Sequence, residues 1–313
     1  MIGRNVGDYR VLAKFDLGES GPVYKAVHIT QRQTYLLKLL HGPLDRAIPA
    51  HHDFIETVQM ACYLDHPNIA RTLPLEFYED ITVIPLEFVY GLELSEKISE
   101  GRTPVETVLK MAIQGAEALQ TAHNVGLTHG KLTSNNVLLT QDGEVKILEF
   151  GLAGLQEDML FRGVEETPYP LLPVPSRRPP LSRFAYQAPE QLNGDHAGPS
   201  ADLFAFGVML YEMLAGEFLF LGDDVGELYR QIRQRELPRI EQVRPEVSRS
   251  LGEIVTTLVQ KDPARRYYSA EFLLEDLRKI RGGRTVERLS FQPKDPALSR
   301  RSFFRRFVKD SDH

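Results

Sequence analysis

The 313-residue sequence predicts an α+β fold in two lobes, a small β-rich one with a single helix and a larger helical one. Two observations carry that expectation. From Tyr9 to about Val89 the apolar residues fall in short β-rich runs separated by turn residues, whereas after Gly91 they recur at three- and four-residue spacing. With 42% hydrophobic and 26% charged residues, the chain can build a sizeable core.

Val11, Val23, Val27 and Ile29 mark the first strands, and a helix is expected from about Ala50 to Leu64, ended by the turn His66-Pro67-Asn68. In the second lobe Val105, Val108, Ala112, Ala116 and Leu119 form a stripe that buries one helix face. A later stripe, Leu203, Phe206, Leu210 and Leu214, suits a helix running through the middle of the lobe. Asp142-Gly143 makes a hairpin turn. Between Gly163 and Pro180, Pro168, Pro170, Pro173, Pro175 and Pro179 each remove a backbone donor and fix φ, so a long extended or mobile loop is expected. Periodicity is lost from about Arg281. The expected organisation is one domain over 1–280, with lobes at about 9–88 and 92–280 joined at 87–91, then a flexible tail over 281–313.

A net charge of -6 and a pI near 5.9 give no electrostatic reason to expect nucleic acid as a partner. Cys62, the single cysteine, precludes an internal disulfide, fits a reducing compartment and reads as a small core residue. No apolar stretch reaches about 18 residues and no export signal opens the chain, so the expected location is cytoplasmic. The tail Ser299-Arg300-Arg301-Ser302-Phe303-Phe304-Arg305-Arg306-Phe307-Val308-Lys309 interleaves basic and aromatic residues. It could lie on anionic lipid, dock on the lobe itself, or remain a disordered terminus.

Short motifs follow one another in a recognisable order. Asp16-Leu17-Gly18-Glu19-Ser20-Gly21-Pro22-Val23 aligns with G-x-G-x-x-G-x-V, Tyr35-Leu36-Leu37-Lys38 with V-A-I-K, and Leu86-Glu87-Phe88-Val89-Tyr90-Gly91 with a gatekeeper and hinge. His129-Gly130-Lys131-Leu132-Thr133-Ser134-Asn135-Asn136 aligns with H-R-D-L-x-x-x-N, and Glu149-Phe150-Gly151 with D-F-G. Ala188-Pro189-Glu190 equals A-P-E. Asp202 and Gly207 match D-x-x-x-x-G, and Lys261-Asp262-Pro263-Ala264-Arg265-Arg266 resembles the stretch whose arginine pairs the A-P-E glutamate. From Tyr9 to Ile280 the chain resembles the eukaryotic-like Ser/Thr protein kinases, most closely their bacterial branch.

The resemblance implies a two-lobed kinase-like fold with ATP held by Gly18, Gly21, Val23, Leu36, Lys38, Leu86, Glu87, Val89 and Leu138. It implies magnesium at Asn136 and Glu149, catalysis around Lys131, Asn136 and Glu149, and a buried Glu190 to Arg266 ion pair beside the structural Asp202. His129 is expected to pack as a structural histidine. The departures are chemical. Lys131 puts an ammonium, which cannot accept a hydroxyl proton, where the family has its base aspartate. Asp16 replaces the first loop glycine, and Leu36 adds branched volume where the base should lie. Glu149 lengthens the metal ligand by one methylene, which weakens magnesium binding. The position of the helix glutamate that should pair Lys38 is Thr57, and the adjacent Glu56 reaches Lys38 only if the helix rotates.

These departures imply a pseudokinase that binds other proteins or acts allosterically, with phosphoryl transfer lost or strongly impaired. The alternative is an ATP-binding Ser/Thr kinase with slow or atypical transfer, in which Lys131 clamps the γ-phosphate. Ser182 and Thr167 lie where the family is phosphorylated, but Gly130 removes the arginine that would receive the phosphate.

Overall fold

The computed structural model describes residues 2–15, 23–41, 44–78, 81–154, 182–194 and 198–286. Strands β1 (Asn5–Val6), β2 (Tyr9–Phe15), β3 (Val23–His28), β4 (Thr34–His41), β5 (Glu76–Tyr78) and β6 (Ile81–Glu87) form one antiparallel sheet in the order β1-β2-β3-β4-β6-β5. The period-two alternation of side chains divides β4 between two apolar faces. Leu37 and Leu39 join Tyr9, Val11, Tyr24 and Val83 on one side. Leu36 and Leu40 lie on the other with Ile84 and Leu86, against α1 (Pro49–Cys62) through Phe54, Ile55 and Val58. Lys38 shares this second face, in register with Val23 of β3 and Ile84 of β6. Proline at the first helical turn starts α1, where a missing N–H costs no hydrogen bond. Cys62 is half-buried, less enclosed than a core residue, because it lies at the helix end with only one flank against the apolar cluster.

The second lobe begins with β7 (Leu92–Glu93) and α2 (Leu94–Ser99), then α3 (Val105–Asn124), β8 (Val137–Leu139) and β9 (Val145–Ile147). The sheet β7-β8-β9 closes at the Asp142-Gly143 turn. Helices α4 (Pro199–Ala215), α5 (Val225–Gln234), α6 (Ile240–Val243), α7 (Arg249–Leu258) and α8 (Ala270–Arg281) complete it. All residues of α4 from Ala201 to Ala215 are buried, apolar for the most part, with the carboxylates of Asp202 and Glu212 hydrogen-bonded inside. Gly207 permits the approach of α7, since a Cβ there would stand 2.4 Å from Leu258 Cβ. In the α3 stripe Val108, Ala112, Ala116 and Leu119 are buried, while Val105, the first residue of the helix, is half-buried.

The lobes are stitched along one edge. Asn68 Nδ2 donates to Val145 O at 2.7 Å, Ala70 N to Ile147 O at 2.8 Å, and Thr72 Oγ1 to Phe150 O at 3.1 Å. This seam carries β9 directly into Glu149-Phe150-Gly151. Gly18 and Gly21, the proline-rich segment with Thr167, and the basic-aromatic tail from residue 287 lie outside the described residues. Among the described residues no helix is long and apolar enough to cross a membrane.

Candidate functional site

The site is built around Asp202, buried in the first turn of α4. Its Oδ2 accepts from His129 N and its Oδ1 from Gly130 N, both at 2.8 Å, and His123 Nε2 lies 2.9 Å from Oδ2. One carboxylate thus fixes the main chain of the catalytic-loop motif. His129 Nε2 donates to Leu148 O at 2.9 Å while its Nδ1 accepts from Lys131 N at 3.3 Å, which places the single ring proton on Nε2. Burial pushes the His129 pKa down, so the ring stays neutral, and it packs edge-on against Phe150 at 5.0 Å. Asn136 Nδ2 donates to Lys131 O at 3.1 Å, and Leu148 N donates to Asn136 O at 2.8 Å. These links bring Lys131, Asn136 and Glu149 into one constellation, with the Lys131 side chain exposed.

Lys38, fully buried, lies 2.7 Å from Glu149 Oε1, itself 10% exposed. The partner comes from the second lobe and not from α1. Thr57 donates its hydroxyl to Asp53 O at 2.7 Å, and Glu56 is exposed, 3.7 Å from His52. The α1 rotation that would turn Glu56 inward is absent because Phe54, Ile55 and Val58 hold the helix on the sheet. Glu149 has φ of 64°, a left-handed conformation that costs a residue other than glycine about 1–3 kcal/mol and marks a position held by its surroundings. Packing at Gly151 is one restraint: a Cβ there would stand 2.6 Å from Ala61 Cβ in α1.

At the hinge, Leu36 is half-buried opposite Leu86 in the β4/β6 register, Val23 and Leu86 are buried, and Leu138 is half-buried in β8. The Glu87 carboxylate turns to the second lobe, accepting from Arg71 N at 2.9 Å and lying 3.1 Å from Lys146 Nζ. Its side chain therefore joins the lobes, and its main-chain N–H is engaged as well, donating to Arg71 O at 2.8 Å. Val89 N–H and C=O engage no hydrogen bond among the described residues.

Two supporting clusters lie below. Arg266, completely buried, holds Glu190 through a two-pronged pair at 2.6 and 2.8 Å. Tyr186 OH lies 2.7 Å from both Ser134 Oγ and Glu212 Oε2, tying the catalytic loop to the far end of α4. Sequence reasoning missed this link, the Glu87 to Lys146 pair and the Lys38 to Glu149 pair. The last had a visible signal, since Thr57 leaves the lysine without its usual acid and Glu149 is the longer carboxylate.

At the phosphate end the described residues are two ammoniums, Lys38 and Lys131, one carboxylate, Glu149, and the Asn136 amide. A magnesium ion takes oxygen ligands in near-octahedral geometry, usually with one or two carboxylates and phosphate. Here the single carboxylate is already against an ammonium and a second ammonium stands on the loop, so this donor set does not fit magnesium. Among the described residues no group of three His, Cys, Asp or Glu could hold a metal ion.

Comparison with known proteins agrees with the fold. The protein kinase domain family matches residues 9–276. The probable serine/threonine-protein kinase SCO3848 of Streptomyces coelicolor is 30% identical over 287 residues, covering 90% of this chain and 41% of its own length. PrkC of Bacillus subtilis is 28% identical over 280 residues, covering 89% and 41%. The probable serine/threonine-protein kinase CPE1738 of Clostridium perfringens is 28% identical over 284 residues, covering 90% and 39%, so the chain spans about two-fifths of each relative. In structure the chain is similar to Rad53 1–466 in complex with AMP-PNP, with a TM-score of 0.65, 23% identity, and coverage of 86% of this chain and 64% of that one. It is also similar to the Mycobacterium tuberculosis PknI kinase domain, with a TM-score of 0.63, 20% identity, and coverage of 89% and 98%. The chain, with its two lobes joined along β9 and its motifs in family order, belongs to the protein kinase family, in the bacterial Ser/Thr type.

Proposed function

We propose that this chain is a nucleotide-binding signalling module of the Ser/Thr kinase family that works through other proteins, with phosphoryl transfer lost or strongly impaired. The observation that carries the reading is Lys131 on an otherwise well-formed loop. Asp202, His129 and Asn136 hold the main chain there, and the side chain presented is a cation. Loss of a general base costs about 10²–10⁴ in rate, and kinases turn over at only about 1–100 per second. Nucleotide binding is supported by buried Lys38 on the face shared with Leu36, and by the free main-chain groups of Val89.

A second reading, an ATP-dependent Ser/Thr kinase with slow transfer, is favoured by the names of the relatives and by the exposure of Lys131 on the catalytic-loop motif. Incubation of purified protein with labelled ATP, alongside thermal melting, separates the two. A melting shift without label transfer supports the signalling module. Transfer that Lys131→Ala abolishes would establish the slow kinase.

A further inference from the structure

Glu87 ends β6 and is followed at once by the residues that cross between the lobes, so whatever fixes its side chain fixes where the crossing begins. Segment 68–73 runs beside it as a strap. On one side Ala70 N donates to Ile147 O at 2.8 Å and Ile147 N to Asn68 O at 2.9 Å, tying the strap to β9. On the other, Glu87 N donates to Arg71 O at 2.8 Å and Leu73 N to Pro85 O at 2.9 Å, tying it to β6. Lys146 reaches across this strap from β9. Its Nζ donates to Ile69 O at 3.2 Å and lies 3.1 Å from each Glu87 carboxylate oxygen, one of which also accepts from Arg71 N at 2.9 Å. The Arg71 guanidinium lies in solvent, 3.7 Å from Asp65, so among the described residues Lys146 is the one side-chain cation on Glu87.

Both members of the pair are partly buried, where salt screens less than on the open surface and a charge-assisted hydrogen bond keeps its geometry. Two residues beyond Glu87, the N–H and C=O of Val89 engage no hydrogen bond among the described residues. A base entering beside Leu36 and Leu86, which face each other across β4 and β6, would meet those groups. Groups already held in place bind without the cost of being ordered. We infer that Lys146 is a positioning residue for the base end of the nucleotide site: by pinning Glu87 to β9 and to the strap, it sets the main chain of residues 88–91 for a nucleotide base. Its own ammonium is engaged by Glu87 and Ile69 O, so it acts through the hinge and touches no nucleotide. This rests on the nucleotide-binding reading above.

The test is calorimetric titration of the full chain with ATP and with adenosine, which offers the base end without phosphates. Lys146→Met, which keeps the stem and removes the charge, should weaken both ligands by the same factor, about tenfold or more. Lys146→Arg, whose fork can meet both Glu87 oxygens, should recover most of that affinity. Glu87→Gln should weaken both ligands likewise, and the double variant should bind no worse than either single one, because the two side chains act as one pair. Should Lys146→Met melt below the titration temperature, Glu87→Gln, which keeps an acceptor for Arg71 N, carries the test. Adenosine bound by these variants as tightly as by wild type, or a loss confined to ATP, overturns the inference and leaves the nucleotide-binding reading standing. A wild type that binds ATP and not adenosine does the same. Absence of binding of either ligand to the wild type removes that reading and the inference with it.

Discussion

Arg266→Ala should loosen the second lobe more than any other single truncation near the site. The guanidinium is 0% exposed and donates to Glu190 Oε1 and Oε2 at 2.6 and 2.8 Å, Gln260 O at 2.7 Å, Ser200 O at 3.0 Å and Lys261 O at 3.2 Å. It also lies 4.8 Å over the Phe204 ring. Truncation strands the Glu190 carboxylate, which is 14% exposed, and leaves three carbonyls in search of donors. Removing one partner of a buried pair costs about 3–5 kcal/mol, out of a typical domain stability of about 5–15 kcal/mol. At about 2–4 °C per kcal/mol the melting temperature should fall by about 6–20 °C. Arg266→Lys, which keeps the charge and loses the fork, should fall between. A double replacement of Arg266 by Met and Glu190 by Leu should recover much of the loss, because apolar residues of similar volume leave no stranded charge. Differential scanning calorimetry reads all three. An Arg266→Ala protein melting like wild type would refute the reasoning.

Gly207→Ala should destabilise by about 1–3 kcal/mol through overpacking, since the new Cβ meets Leu258 Cβ at 2.4 Å; an unchanged urea midpoint would contradict this. Lys261→Met should raise the melting temperature at neutral pH, because the Lys261 Nζ is buried without a hydrogen bond and burial, Arg266 and Arg235 push its pKa down to about 8. The unfolded lysine titrates near 10.4, so between about pH 8 and 10.4 the unfolded chain holds a proton the folded one lacks, and wild-type stability should rise with pH there. The variant should lose that rise. His129 is depressed in the opposite arm of the profile: below about pH 6.5 the unfolded ring takes a proton the folded one refuses, so stability falls as pH drops, and His129→Gln should flatten that limb in acid titrations followed by circular dichroism. Lys131→Asp, which returns a proton acceptor to the loop, should raise label transfer by about 10²–10⁴. Unaltered transfer would mean that the loop is not where the reaction is lost.

The scaffold was legible in the sequence because periodicity and motif order are local. Leu203, Phe206, Leu210 and Leu214 announced α4, Ala50 to Leu64 came within two residues of α1, and the family resemblance of the motifs around Glu190 and Arg266 implied their pair. The electrostatics of the site were less legible. Lys38 meets Glu149 only because the Asn68 to Thr72 segment is hydrogen-bonded along β9 and Phe150 is packed on His129, and no spacing rule encodes such contacts between lobes. Glu87 shows the same limit: it stands in the hinge motif, but its carboxylate direction depends on Lys146 in another strand. Tyr186 and Glu212 were silent for a further reason, since each looks in sequence like ordinary helix or loop content until the fold sets the Tyr186 hydroxyl between Ser134 and Glu212.

Asp202 grips the loop through the amides of His129 and Gly130. Main-chain N–H groups are present whatever side chain follows, so the contour of this segment is insensitive to what residue 131 carries. Chemistry and architecture are thereby decoupled at a single address: the tip can be recharged, neutralised or inverted while the mount beneath it keeps its form.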